Sequence, residues 1–69
     1  MIKLGEKIVG LRESKNMTRY RLAKNSGVAY SYLLDIESGK YNNCSIKILQ
    51  KIAAALDTPI FYFLDSKVG

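Results

Sequence analysis

The chain has 69 residues, enough for one domain with a single small core and no deep catalytic cleft. It has no histidine and one cysteine, Cys44, so a zinc site, a His-based catalytic site and an internal disulfide have almost no material, and the lone thiol fits a reducing compartment. Eleven Lys and Arg against six Asp and Glu leave a net charge of +5, which favours a polyanionic partner, nucleic acid ahead of an anionic membrane surface.

The opening residues, MIKLGEKIVG, break their apolar run at Glu6 and Lys7 and do not read as a signal peptide. No run approaches the ~20 apolar residues of a membrane span, so a cytoplasmic protein without membrane association is expected. Leu4, Ile8 and Leu11 recur at i, i+4 and i+7 and predict an amphipathic helix over 2–15, with Lys3, Glu6, Lys7 and Glu13 facing water. Residues 14–16 end it, and Met17 returns to the core. Thr18 offers a hydroxyl cap for a second helix running to about residue 25, with Leu22 and Ala23 inward. Asn25, Ser26 and Gly27 form a turn. The third helix lies in VAYSYLLDIESG, residues 28–39, stopped by Gly39, with Ala29 where a capping side chain is expected.

A polar loop over 40–44 leads to Ser45, which caps a fourth helix with the apolar set Ile46, Leu49, Ile52, Ala53 and Leu56. Pro59 opens a short fifth helix over 60–65. No segment shows strand alternation, so the fold class is all-α.

Helices two and three are short and joined around Gly27, the pattern of a helix-turn-helix, whose second helix enters the DNA major groove while the first crosses the backbone. Four motifs sharpen this: LGEKI..LR, then MTRYRLA, then G-V-x-x-S-Y-L-x-x-I-E-x-G-K, then I-x-x-L-x-K-I-A-x-A-L. Over residues 4–64 they resemble the phage-repressor and Cro type of helix-turn-helix domain, the XRE family. The resemblance implies a compact five-helix lambda-repressor-like domain, double-stranded DNA as partner, and a homodimer on a two-fold operator. It also implies an ion pair between Arg12 and Glu37. The chain departs from the family at Ala29, where Ser or Thr is common, at Arg19, where Gln is common, and in the loop after Lys40, where Asn43 and one extra residue replace a shorter proline-bearing segment.

On a helical wheel Leu33 and Ile36 share the core face, supported by Val28. Ser31 and Asp35 lie opposite, Tyr30 and Leu34 on one flank, Tyr32 on the other. Tyr30, Ser31, Leu34 and Asp35 are therefore the candidate base contacts. Asp35 has a second reading as a solvated charge, and Tyr32 as a ring packed against helix two. Thr18, Arg19, Tyr32, Lys40, Tyr41, Asn42 and Asn43 are the candidate phosphate contacts. Arg19 is favoured among them because it stands at a helix N-terminus. Arg21, Lys24 and Lys47 add diffuse attraction. In the fifth helix Ile60, Phe61 and Leu64 are expected to face the core, which leaves Tyr62 and Phe63 for a dimer interface. No cofactor, metal or enzymatic activity is expected. The leading reading is a transcriptional regulator, a repressor before an activator. An antitoxin-like module with a toxin partner and a restriction-modification controller protein are the alternatives.

Overall fold

The computed structural model describes residues 4–41 and 44–64 and folds them into five helices: α1 (Leu4–Ser14), α2 (Arg19–Ser26), α3 (Tyr30–Glu37), α4 (Ile46–Ala55) and α5 (Phe61–Leu64). Asn42 and Asn43 lie outside the described residues, as do Lys3 and the expected outer limits of the first and last helices.

Caps and stops divide the chain into helices. Thr18 Oγ1 accepts the N–H of Arg21 at 3.0 Å, and Ser45 Oγ accepts that of Ile48 at 3.2 Å. Each cap is worth about 1 kcal/mol. At their other ends the first four helices turn out through the left-handed region, at Asn16 (φ 56°), Gly27 (φ 77°), Gly39 (φ 92°) and Asp57 (φ 54°). Three of these exits have the same double bond. Met17 and Asn16 donate to Arg12 and Glu13, Lys40 and Gly39 to Asp35 and Ile36, and Thr58 and Asp57 to Ala53 and Ala54. This is the Schellman arrangement, which satisfies carbonyls that a helix end leaves open. Glycine, asparagine and aspartate are the residues that tolerate the conformation.

The core is built from Ile8, Leu22, Leu33, Ile36, Ile52 and Leu56, all fully buried, with Val28, Leu49 and Phe63 close behind. α3 packs against both α1 and α2, and α4 packs on α2. Met17 is half-buried against this cluster. Gly5 sets the approach of α1 to α3: a Cβ there would meet the carbonyl oxygens of Ile36 and Glu37. Gly5, Ile8 and Arg12 form the buried stripe of α1, so the backbone contact at Gly5 places Arg12 two turns further along, facing the end of α3.

Two expectations are corrected. Ile46 is exposed, because it stands at the first position of α4 where the helix end is solvated, and Ile48 is half-buried instead. In α5 the inward residue is Phe63, 6% exposed, while Phe61 is 68% exposed and Leu64 and Tyr62 also face out. The reason is helical pitch. Tyr62 and Phe63 donate to the carbonyls of Pro59 and Ile60, three residues back. A turn closed by such bonds eclipses i and i+3, so Ile60 and Phe63 share the core face instead of Ile60, Phe61 and Leu64. No helix among the described residues is long and apolar enough to cross a membrane.

Candidate nucleic-acid interface

The joint between α2 and α3 is pinned at three points. Gly27 closes α2 with its N–H on the carbonyl of Ala23 at 2.9 Å. Ser26 Oγ donates to the same carbonyl and accepts the N–H of Val28 at 3.2 Å. Val28 is buried, so the chain enters α3 against the core. Ala29 then takes the N-cap position with no side-chain hydrogen bond. Leu33 and Ile36 bury one face of α3, which leaves Tyr30, Ser31 and Leu34 exposed on the other.

The far end of α3 is held by charge. The Glu37 side chain is 1% exposed, and Arg12 grips it bidentately, with Nε on Oε2 and Nη2 on Oε1, both at 3.0 Å. Arg12 Nη1 donates to the carbonyl of Met17 at 3.0 Å. A second guanidinium joins them: Arg19 Nε donates to Glu37 Oε1 at 2.8 Å. One buried carboxylate thus ties α1, α2 and α3 together. Two cations and planar fork geometry offset the cost of taking that carboxylate out of water.

Arg19 was expected to stand free as a phosphate clamp. Besides its bond to Glu37, it places Nη1 3.4 Å from the Tyr30 hydroxyl and its guanidinium carbon 5.9 Å from that ring's centroid. The Glu37 carboxylate, and then the Tyr30 phenol, push the Arg19 pKa further up, so this cation is charged at any working pH. Sequence spacing carries no signal for these contacts, because Arg19 and Glu37 are 18 residues apart and meet only through tertiary packing.

The loop after α3 is seated by aromatics. The rings of Tyr32 and Tyr41 lie 5.6 Å apart, tilted by 49°, so Tyr32 packs on the loop and the core instead of on α2. Lys40 Nζ lies 5.8 Å from the Tyr41 ring and 4.0 Å from Asp35 Oδ2, which places a cation beside the one acidic candidate base contact. Thr18 spends its oxygen on the α2 cap. With Lys15, Arg21 and Asn25 it lines a shallow groove beside the first turn of α2. The sequence reading missed Tyr20, which is exposed on α2 with Lys24 Nζ 5.9 Å from its ring one helical turn away. The i, i+4 spacing was its signal.

Tyr62 and Phe63 belong to another part of the molecule. Their rings meet edge to face at 5.3 Å, and Lys7 Nζ donates to the Tyr62 carbonyl at 3.0 Å and lies over the Tyr62 ring. Phe63 is buried and cannot line an interface; Tyr62 remains outward with Phe61 and Leu64. Cys44 is half-buried against the core, and that burial pushes its thiol pKa up.

The model of the helix-turn-helix family matches residues 10–63. The HTH-type transcriptional regulator SinR of Bacillus subtilis (strain 168) is 39% identical over 64 residues, covering 93% of this chain and 58% of SinR. The immunity repressor protein of Bacillus phage phi105 is 36% identical over 53 residues, covering 77% of this chain and 36% of the repressor. This chain therefore spans little more than half of one relative and about a third of the other. A crystal structure of SinR, the master regulator for biofilm formation, in complex with DNA superposes with a TM-score of 0.86 at 39% identity, over 90% of this chain and 98% of that one.

Proposed function

The chain belongs to the helix-turn-helix family of the phage-repressor and Cro type, and from that premise we propose that it is a sequence-specific regulator of transcription, a repressor, that reads the major groove of double-stranded DNA with α3. One observation carries the reading. α3 presents Tyr30, Ser31 and Leu34 to solvent while its opposite face is buried and its far end is fixed by the Arg12–Glu37–Arg19 cluster. A helix held this firmly, with polar and apolar groups at its outward start, suits insertion into a groove.

The chemistry assigns the roles. Ser31 donates to or accepts from a base edge, and Tyr30 and Leu34 pack on thymine methyl groups. Asp35 accepts from cytosine N4, with Lys40 beside it to lessen repulsion from the phosphates. Lys40 and Tyr41 on one side, and Thr18, Lys15 and Arg21 on the other, meet the sugar-phosphate backbone. A homodimer places two copies of α3 on a two-fold operator, with the exposed face of α5 as the contact. The cytoplasm, where a lone thiol stays reduced, is the place of action.

Selection of bound sites from random duplex DNA tests this. The expected result is a symmetric pair of half-sites about 10 base pairs apart. Recovery without sequence preference sinks the proposal. A second protein copurifying in stoichiometric amount, in place of bound DNA, would make this an antitoxin-like partner protein instead.

A further inference from the structure

We propose that Arg19 is a positioning residue for DNA recognition: it fixes the Tyr30 ring and thereby sets base preference where Tyr30 meets the groove. This rests on the assignment of α3 as the reading helix.

Arg19 is the first residue of α2, yet its side chain is 30% exposed and turned toward α3. Its Nε is committed to Glu37, and Glu37 is committed to Arg12 by two bonds of its own. The guanidinium plane is therefore located from the interior outward. From there Nη1 reaches the Tyr30 hydroxyl, and the cation lies near the Tyr30 ring. The line Arg12, Glu37, Arg19, Tyr30 connects a buried carboxylate to the exposed start of the reading helix. A tyrosine there would otherwise sample several rotamers in water, and DNA binding would have to order it. Arg19 orders it beforehand. Lysine cannot substitute, because an ammonium lacks the planar fork needed to hold Glu37 and Tyr30 at once.

A phosphate clamp and a positioning residue fail differently. Wild type, Arg19→Lys, Tyr30→Ala and the double variant are measured against the selected duplex and one altered at its most discriminating base pair, at two salt concentrations. Ring signals of Tyr30 are recorded by NMR in the free proteins, and thermal melts check folding. In Arg19→Lys, discrimination between the two duplexes falls about tenfold while the salt dependence stays that of wild type. The free-protein Tyr30 signals move toward rotamer averaging. In the Tyr30→Ala background, where an exposed side chain has been removed and folding is kept, Arg19→Lys changes discrimination no further. Equal weakening of both duplexes, or a Tyr30 ring unchanged in Arg19→Lys, overturns the proposal. Wild-type protein that prefers neither duplex overturns the reading of α3 itself, a separate and recognisable outcome.

Discussion

Glu37 is the residue on which three helices converge, and its energetics are asymmetric. Forming the cluster from hydrated ions gains little, since desolvation offsets attraction, but removing the carboxylate strands what remains. In Glu37→Ala, Arg19 can swing to water, whereas Arg12 is buried and keeps only its bond to the Met17 carbonyl. The expected loss is about 3–5 kcal/mol, against a total stability of roughly 3–10 kcal/mol for a chain of this length. Urea denaturation should place Glu37→Ala near the edge of folding, with Ser31→Ala within about 0.5 kcal/mol of wild type. Equal midpoints would refute the buried cluster. Ala29 makes the opposite case. Its φ of −57° and ψ of 138° are already close to those of the capping residue Ser45, at −64° and 154°. Serine at position 29 should therefore cap α3 without moving the backbone and add about 1 kcal/mol of stability. Weaker binding of the same variant to its selected DNA is expected if the small side chain admits the backbone to the groove. Unchanged binding would leave alanine no part in DNA approach.

At the scale of elements, α1 carries two glycines that one substitution separates. Gly5 lies where α1 meets the backbone of α3, and a methyl group there collides with two carbonyl oxygens that have no side-chain freedom to yield. Gly10 has nothing within 4 Å of where its Cβ would be. Gly5→Ala should cost 1–3 kcal/mol or more, at about the scale of overpacking, and should disturb the alignment of Arg12 with Glu37. Gly10→Ala should gain about 0.5–1 kcal/mol from reduced backbone entropy in the unfolded chain. Thermal melts of the two variants must move in opposite directions. The same contrast marks what the sequence made legible. Periodicity located all five helices and the buried Leu33, Ile36 and Leu22, because the side of a helix facing the core is written in residue spacing. It did not distinguish Gly5 from Gly10, because spacing says nothing of how closely two backbones approach. It misplaced Phe61 and Phe63 because a 3.6-residue wheel was applied to a turn closed by three-residue bonds. In the candidate site, the exposed start of α3 was readable from the wheel, whereas the turn of Arg19 toward Glu37 and Tyr30 needed the fold.

Over the whole molecule, charge and apolar surface set the terms of association. The net charge of +5 draws the protein to any duplex, and each phosphate neutralised makes the logarithm of affinity fall with that of salt by about 0.9. Charge alone brings the protein to DNA without choosing a site; two copies of α3 held at fixed spacing choose one. Phe61, Tyr62 and Leu64 form the exposed apolar side of α5, and Phe61 contributes little to the core from which it points away. Phe61→Asp should therefore leave the melting temperature close to that of wild type while placing like charges opposite each other in an isologous contact. Binding to a duplex with a single half-site should be unaltered, and the added affinity of a duplex with both half-sites should be lost. If Phe61→Asp binds the paired half-sites as tightly as wild type, the two copies meet through some other surface. If it weakens the single half-site equally, α5 acts on DNA and not on a second copy of the chain.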